Sequence, residues 1–343
     1  MKIDKEILES IKITPIIDSL LLEDISDEIY FSKKYSDYIS NSRLGLLKSK
    51  GVEAFFKGIK NEYNPSFELG GNLHQLVLQP ESYELIDSVA RPTAKAGLMA
   101  EALYRPDGST CTDDEIKSQS YIVGYYKDKL TENRLKEFKG KAEPYWRDRY
   151  IYEQNHPFKD GDKSRIYTDE KSINILKSCL NALNQNDNIQ KLLQPEGLVE
   201  PVYTANERTI LLNVEVEIPD YEPKTFKLKS KLDNFTINTD ENVITVNDLK
   251  TTSRPVSIFD PLYFSYNREI GMYSYLLKLC SKKFFNLKKP QVKGNFLVVS
   301  TTDFSTSVVP MTKQMYKSGF NEFIYLLKTV CYLNIVKGYN FEI

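Results

Sequence analysis

The chain has 343 residues, about the length of two average domains, and 41% of them are hydrophobic while 27% are charged. This composition provides a sizeable core and excludes a globally disordered chain. Forty-six basic residues nearly balance 47 acidic ones, so the net charge of −1 draws the chain to no class of partner, and binding of nucleic acid would need a local basic patch.

The cysteines and the N-terminus predict a cytoplasmic protein, in the bacterial host cytoplasm if a phage encodes it. Cys111, Cys179, Cys280 and Cys331 are too widely spaced for a zinc knuckle or a compact disulfide scaffold, which favours reduced cysteines in the core. Acidic residues run through residues 1–25 without a cleavable small-residue site, which argues against a secretory signal. Because no apolar run reaches about 18 residues, we expect no membrane contact.

The N-terminal half of the chain is expected to be helical. Periodic apolar positions predict helices throughout residues 1–60, with Ser42 as the N-cap of the segment that follows it. The pair Gly70–Gly71 predicts a turn before a short helix from about Asn72 to Gln79. The other predictions for this half are helices over residues 91–150 with a polar turn at 105–115, then a loop at 157–168 that leads into another helix.

The C-terminal half changes to the period of two residues that is typical of strands. Residues 206–221 alternate in this way, and residues 226–250 predict a β-hairpin whose turn is the polar segment 238–242. Together the two halves predict an α/β (α+β) fold, a mixed central sheet flanked by helices. The remaining predictions are a helix at about 259–281, a strand at 293–303 and a terminal helix that starts near Thr312.

The predicted hairpin carries the residues best suited to chemistry. Asp248 and Lys250 share one face of its second strand while Leu249 points into the core, and Asp233 on the first strand falls opposite Asn247 or Asp248. Cross-strand β-carbons lie about 4.5–5.5 Å apart. Two carboxylates that close repel each other unless a cation lies between them, and oxygen ligands favour Mg²⁺ or Mn²⁺.

An ion held between two aspartates and a lysine is suited to hydrolysing a phosphodiester. The metal polarises a phosphoryl oxygen and lowers the pKa of bound water, while the lysine orients that water or stabilises charge on the phosphate. The alternative is an ordinary surface hairpin that carries Asp and Lys side chains. His74, on a short apolar helix, is a candidate metal ligand or else a partly buried histidine bonded to backbone, and His156 is expected at the surface.

Four short motifs in this order resemble the PD-(D/E)xK nuclease superfamily, and more closely its RecB-type branch with the RecE-like (exonuclease VIII-like) phage exonucleases. That family carries a G-x-x-x-H helix, a (G/S)-x-x-D strand, a D-x-K strand and a Q-x-x-x-Y helix. The segment YISNSRLGLLKS at 38–49 is also similar to the start of RecE-like nuclease domains. The matching positions are Gly70 with His74, Ser230 with Asp233, Asp248 with Lys250, and Tyr273.

The resemblance implies a restriction-endonuclease-like core over residues 67–343, with residues 1–66 as a helical N-terminal segment packed on it in one continuous unit. It also implies that one or two Mg²⁺ ions, for which Mn²⁺ can substitute, are bound beside a catalytic Lys250. The family has relatives with an iron–sulfur cluster, but their close late group of cysteines is missing here, so we expect no such cluster. The implied metal ligands are His74, Asp233, Asp248 and the backbone carbonyl of Leu249.

One position departs from the family pattern. Glu269 stands four residues before Tyr273, where the family usually has glutamine. A glutamate there would add a metal ligand or weaken a phosphate contact. Tyr273 itself is either a phosphate or base contact or a core residue of its helix.

The function implied is a Mg²⁺-dependent exonuclease that degrades linear DNA in phage-type recombination or replication. The resemblance further implies a homo-oligomeric ring around DNA and a single-strand annealing protein as partner. A structure-specific or nicking endonuclease and an inactive nuclease-fold DNA-binding or assembly protein remain alternatives. Candidate DNA contacts are Lys227, Lys229, Lys231 and Arg254, and a second basic run comprises Arg134, Lys136, Lys139, Lys141, Arg147 and Arg149, with Tyr145 and Trp146 as stacking groups.

Overall fold

The computed structural model describes residues 5–58, 64–126, 130–193 and 197–341. The helices are α1 (Lys5–Ser10), α2 (Asp27–Tyr30), α3 (Asn41–Lys50), α4 (Val52–Lys57), α5 (Pro65–Leu78), α6 (Ala94–Leu103), α7 (Asp113–Val123), α8 (Glu132–Asn155), α9 (Glu170–Asn184), α10 (Asp187–Leu192), α11 (Tyr266–Phe285) and α12 (Lys313–Ile335). The strands are β1 (Lys12–Glu23), β2 (Tyr83–Leu85), β3 (Ser164–Ile166), β4 (Gly197–Val199), β5 (Val202–Glu217), β6 (Lys224–Asn238), β7 (Val243–Thr252), β8 (Gln291–Ser300) and β9 (Thr306–Pro310).

The chain forms two compact units. Residues 1–61 together with 185–343 make the first, which we call the sheet unit, and residues 62–184 make the second, the helical unit. The division into a helical N-terminal segment, residues 1–66, and a nuclease domain, residues 67–343, stays a prediction. Within the described residues, no helix is both long enough and apolar enough to cross a membrane.

The sheet unit is built on a mixed sheet in the order β1-β5-β6-β7-β8-β9, with β4 paired to β5. All pairings are antiparallel except β7 with β8, which α11 connects because parallel neighbours need a crossover. Its central strands are buried on both faces and α11 and α12 pack against it. The predicted fold class, a mixed sheet flanked by helices, is thus confirmed.

The predicted hairpin of β6 and β7 is present, and its turn follows from local chemistry. The Asn238 side chain accepts the N–H of Glu241 at 2.9 Å, and Asn242 adopts a φ of +55°, a left-handed conformation that asparagine tolerates well. This turn pairs Asn238 with Val243 and so fixes the register of the β6–β7 pairing as far as Asn234 and Asn247.

Two glycines bring α11 and α12 into close contact. A β-carbon on Gly271 would lie 2.7 Å from the backbone nitrogen of Phe320, and one on Gly319 would lie 2.0 Å from the carbonyl oxygen of Asn267. Only glycine permits this approach. The crossing therefore fixes where α11 runs over the sheet, and with it the first turn of α11.

The helical prediction for residues 1–60 is wrong over Lys12–Glu23. This segment is β1, the edge strand of the sheet, paired antiparallel with β5. Its apolar run is as compatible with a strand as with a helix, and Pro15 is tolerated because an edge strand can spare one N–H group. The N-cap of α3 is Ser40, which accepts the N–H of Arg43 at 3.3 Å, so Ser42 lies inside the helix instead of capping it.

Two further element boundaries differ from the predictions. Gly70–Gly71 lies inside α5, which begins at Pro65 after an Asn64 cap, because a proline at the first helical position and a capping asparagine outweigh two glycines. The helix expected from residue 259 begins at Tyr266. The break between α6 and α7 and the start of α12 after Thr312 follow the predictions. The break between α7 and α8 was not predicted, and the loop expected at 157–168 contains the short strand β3.

Candidate active site

A chain of asparagine side chains fixes four strands beside the end of the hairpin. Asn234 donates to Asn206 at 2.7 Å, Asn247 donates to Asn234 at 2.7 Å, and Asn295 donates to Asn247 at 2.9 Å. Asn234 and Asn247 are buried, so each amide group depends on its neighbours for hydrogen bonds. Any slip in register would break the chain. It thereby holds β5, β6, β7 and β8 in one alignment.

Asp233 follows directly after this asparagine row. The β6–β7 ladder ends with Asn234 opposite Asn247, which places Asp233 across from Asp248, one of the two positions that the sequence predicted. Here the strands part, and Oδ2 of Asp233 accepts the backbone N–H of Leu249 at 2.8 Å in place of a main-chain carbonyl. The carboxylate is therefore held at the mouth of the opening between the two strands.

Asp248 is a buried carboxylate with unmet hydrogen-bonding capacity. It is 0% exposed, and among the described residues no group donates a well-oriented hydrogen bond to either of its carboxylate oxygens. Its ion-pair partner is Lys250, whose Nζ lies 2.8 Å from Oδ2. Burial of such a group is costly, so a position like this calls for an explanation.

Lys250 bridges two carboxylates. Its Nζ also lies 3.1 Å from Oε2 of Glu269 in the first turn of α11 and 4.8 Å from the ring centre of Tyr266. The other oxygen of Glu269 accepts the hydroxyl of Tyr273, one turn further along, at 3.0 Å. Glu269, which departs from the family's glutamine, is thus tied to the lysine and to Tyr273 at once.

The pKa values of the three charged groups in this cluster are shifted in different directions. Burial opposes the protonated form of Lys250, but Asp248 and Glu269 outweigh it and raise the pKa of the lysine well above its ordinary value. Burial raises the pKa of Asp248 strongly; the charge of Lys250 opposes this, while the neighbouring Glu269 and Asp233 add to it. Burial acts the same way on Glu269, yet Lys250 and Tyr273 lower its pKa overall. The cluster thus favours the charged forms of Lys250 and Glu269, whereas burial disfavours the charged form of Asp248, which a further cation beside it would favour.

Glu207 is a site residue that the sequence did not reveal. Asn206 pairs with Asn234 and Arg208 with Leu232, so Glu207 lies across from Asp233 on β5, with a left-handed φ of +49°. Strained backbone of this kind gathers at functional sites. Burial, followed by the charge of Asp233, raises the pKa of Glu207 to about 8. In the sequence Glu207 is only an acidic residue within a predicted strand. Its place in the site depends on the register in which β5 pairs with β6, which the sequence did not predict.

The three lysines of β6 share one strand face, as predicted, and each ammonium group has a partner within the sheet unit. Lys227 pairs with Asp37 at 2.8 Å, and Lys231 pairs with Asp27 at 2.5 Å. Lys229 is buried, donates to the carbonyl of Tyr30 at 2.7 Å and lies 4.3 Å from its ring centre. Their contact with DNA, like that of the exposed Arg254, stays a prediction.

The second basic run does not form the expected stacking surface. Tyr145 is 2% exposed, and the indole N–H of Trp146 donates to the carbonyl of Ala100 at 2.9 Å. Arg149 forms ion pairs with Glu101 and Glu153. The prediction of Tyr145 as a stacking group is therefore wrong, since the amphipathic α8 turns this portion of the run into the helical unit.

The sheet unit brings together the predicted Asp233, Asp248, Leu249, Lys250, Glu269 and Tyr273. His74 lies on α5 in the helical unit, half-buried and one turn after Gly70, and its role as a metal ligand stays a prediction.

These residues fit a hard divalent cation. Carboxylate oxygens are the ligands that Mg²⁺ and Mn²⁺ prefer. In the described portion of the chain Asp248 has Lys250 as its ion-pair partner but no well-oriented hydrogen-bond donor, and Asp233 and Glu207 add acidic groups near it. A bound cation would satisfy a buried group that the protein itself leaves unsatisfied.

Comparison with known proteins leaves the family open. No family model matches the chain. No curated protein matches it either. Among solved structures, a presumed exonuclease from Eubacterium rectale is 11% identical with a TM-score of 0.40, covering 91% of this chain and 86% of that one. A protein called SSO0001 is 12% identical with a TM-score of 0.25, covering 79% and 86%. Rai1 from Scheffersomyces stipitis, crystallised with (3′-NADP)+ and a calcium ion, is 10% identical with a TM-score of 0.24, covering 97% and 86%. Likenesses this weak carry no argument about function.

Proposed function

We propose that the chain is a metal-dependent deoxyribonuclease, an exonuclease that degrades linear DNA in phage-type recombination or replication. The observation that supports this most is Asp248, a fully buried carboxylate to which no described residue donates a well-oriented hydrogen bond, beside its ion-pair partner Lys250 and across from Asp233. An unsatisfied buried carboxylate costs folding free energy. A cation bound beside Asp248 would offset this cost.

The proposed cofactor is Mg²⁺, for which Mn²⁺ can substitute. Asp233, Asp248 and the carbonyl of Leu249 would hold it, with His74 as a further ligand. Such an ion, when bound, polarises a phosphoryl oxygen and lowers the pKa of coordinated water.

The chain's own groups supply the remaining work on the phosphate. The charged Lys250 is placed to donate to a phosphate oxygen and stabilise the negative charge that develops there. Glu269 fixes the ammonium group from the other side, and Tyr273 fixes Glu269 through its hydroxyl. Because Glu269 is ionised, it cannot donate to phosphate as an amide would, so that contact depends on Lys250.

The proposed partners are DNA, further copies of the chain in a ring, and a single-strand annealing protein. The last two rest on the resemblance of the motifs alone.

The experiment compares wild type with Lys250→Ala on end-labelled linear DNA and closed circular duplex DNA, in Mg²⁺ and in EDTA. We expect wild type to degrade only the linear form, to need Mg²⁺, and to lose this activity in the variant. The control is Lys278→Ala, a lysine of α11 that bonds the hydroxyl of Tyr316. Cutting of circles would favour a structure-specific or nicking endonuclease. Absence of any cleavage would favour an inactive DNA-binding protein.

A further inference from the structure

The connection from β7 to α11 exposes four large apolar side chains. Ile258, Leu262, Tyr263 and Phe264 are between 50% and 72% exposed, although they lie within seven consecutive positions. We call residues 258–264 the aromatic rim. Soluble proteins seldom expose apolar side chains this densely unless the surface binds something.

The aromatic rim leads directly to Lys250. Phe264 stacks on Tyr266 with ring centres 5.3 Å apart and 28° between the planes, and Tyr266 in turn lies 4.8 Å from Nζ of Lys250. Tyr263 meets Phe264 edge-on at 4.8 Å. An unbroken row of rings therefore runs from the proposed phosphate-binding lysine to solvent.

The inner end of this row is anchored. Phe259 stacks on Tyr266 with ring centres 5.9 Å apart and 16° between the planes, and it also contacts the buried Phe296 at 6.0 Å. Tyr266 is thus held between Phe259 and Phe264, while the outer rings of Phe264 and Tyr263 keep their exposure to solvent. The rim is a supported platform with its outer rings free.

We propose that the aromatic rim binds an unpaired nucleobase of the strand whose phosphate lies against Lys250, by stacking on Phe264 and Tyr263. This inference rests on the proposed function. A base is joined to its phosphate through a single sugar. When a phosphate lies at Lys250, its base can therefore reach Phe264 and Tyr263, which connect to the lysine through Tyr266. Every base has a stacking face, whereas the faces of bases inside a duplex are covered by their neighbours.

The charges around the rim favour a base over a second phosphate. Asp260 lies within the rim, exposed, and accepts the N–H of Leu262 at 2.9 Å. A carboxylate there repels the sugar–phosphate backbone and leaves the uncharged base as the better occupant. Arg254, exposed earlier in the same connection, supplies positive charge for the phosphates on the approach.

The test measures DNA binding by the full chain carrying Asp248→Asn, a variant that we expect to cleave DNA far more slowly than wild type. Fluorescence anisotropy with a labelled single-stranded oligonucleotide and with a blunt duplex compares this parent with a version that adds Tyr263→Ala and Phe264→Ala. We expect the added pair to weaken single-strand binding about tenfold or more. Duplex binding should change less than about twofold, because paired bases do not reach the rim. Phe264→Trp should keep single-strand affinity, since it keeps a stacking face.

The control adds Phe284→Ala and Tyr325→Ala to the parent, removing two exposed aromatic side chains elsewhere in the sheet unit, 46% and 55% exposed. It should bind both DNAs as the parent does. If the rim variant binds single strands as tightly as the parent, the inference is overturned. If that variant instead abolishes self-association in sedimentation while DNA binding is unchanged, the rim is an interface between copies. If the parent binds no DNA at all, the proposed function fails and this inference fails with it.

Discussion

Two charge clusters of this chain, one half-buried and one fully buried, differ in how completely their hydrogen bonds are made. In the helical unit, Arg149 donates to Glu101 and, at 2.9 Å, to Glu153, and tyrosine hydroxyls complete both carboxylates. In the sheet unit, Asp248 has Lys250 as an ion-pair partner but no well-oriented donor among the described residues. The tyrosines of the first cluster are Tyr145 on Glu101, and Tyr104 and Tyr167 on Glu153.

The difference separates a structural cluster from a functional one. Burial raises the pKa of Glu153, yet its hydrogen bonds from Arg149 and Tyr104 outweigh this and lower it overall. For Asp248 the charge of Lys250 also lowers the pKa, but burial outweighs it and the pKa is raised. A satisfied buried network makes a core specific and rigid, whereas an unsatisfied one is a cost unless a ligand completes it.

The largest effect is expected from Asp248→Asn. Removing the carboxylate while keeping its shape should lower cleavage of linear DNA by about 10³-fold, since electrostatic groups at the reacting phosphate are worth roughly that much. Cleavage rates under saturating DNA and Mg²⁺ measure it. A variant within about threefold of wild type would place the reacting phosphate elsewhere.

Arg149→Met should cost stability and leave the chemistry intact. Removing the cation leaves Glu101 and Glu153 facing each other with fewer donors, and losing a donor from such a half-buried network costs about 1–3 kcal/mol. Urea unfolding measures this, and Arg147→Met, on the exposed side of α8, is the matched control. A full loss of cleavage by a folded Arg149→Met chain would contradict its structural role.

Glu269→Gln should lower cleavage by about tenfold, less than the loss of Asp248. The amide still accepts the Tyr273 hydroxyl, but it no longer holds the ammonium group of Lys250 by charge, so the lysine rests on Asp248 alone. The loss should appear in kcat with KM unchanged. A variant faster than wild type would mean that Glu269 restrains Lys250 instead of positioning it.

Lys229 offers a smaller test, since it is a buried charge to which no carboxylate of the described residues is bonded. Burial, then the charge of Arg43, lowers its pKa from 10.5 to about 8. Between those values the unfolded chain binds more protons than the folded one, so this lysine makes stability rise with pH across that window. Lys229→Met should flatten that rise and increase the melting temperature at pH 7 by a few degrees. Parallel curves of wild type and variant from pH 7 to 10 would contradict the assignment.

The hairpin could be predicted because its signals are local. Alternation along β6 and β7 and the asparagine-rich turn between them lie within a few residues of one another, and the turn fixes Asp233 across from Asp248. Glu207 and the asparagine row could not be predicted, because they depend on how β5 pairs with β6.

The segments that were predicted wrongly depend instead on contacts with residues distant in the sequence. The apolar run of β1 is compatible with either a helix or a strand, and its pairing with β5 decides for the strand. The basic residues of α8 look like a surface in the sequence, and only the neighbouring helices turn Arg149 and Tyr145 inward. Local chemistry thus predicted the D-x-K strand, while tertiary pairing decided which charged residues are buried with partners.

The central claim is that Asp248 is completed by a divalent cation, and thermal unfolding with and without Mg²⁺ tests it most directly. We predict that saturating Mg²⁺ raises the melting temperature of wild type, since a ligand of the folded state stabilises it. Asp248→Asn should melt at or above wild type in EDTA and lose the response to Mg²⁺, while Glu153→Gln should melt lower and keep it. A wild type that ignores Mg²⁺, or an Asp248→Asn chain that responds equally, would contradict the claim.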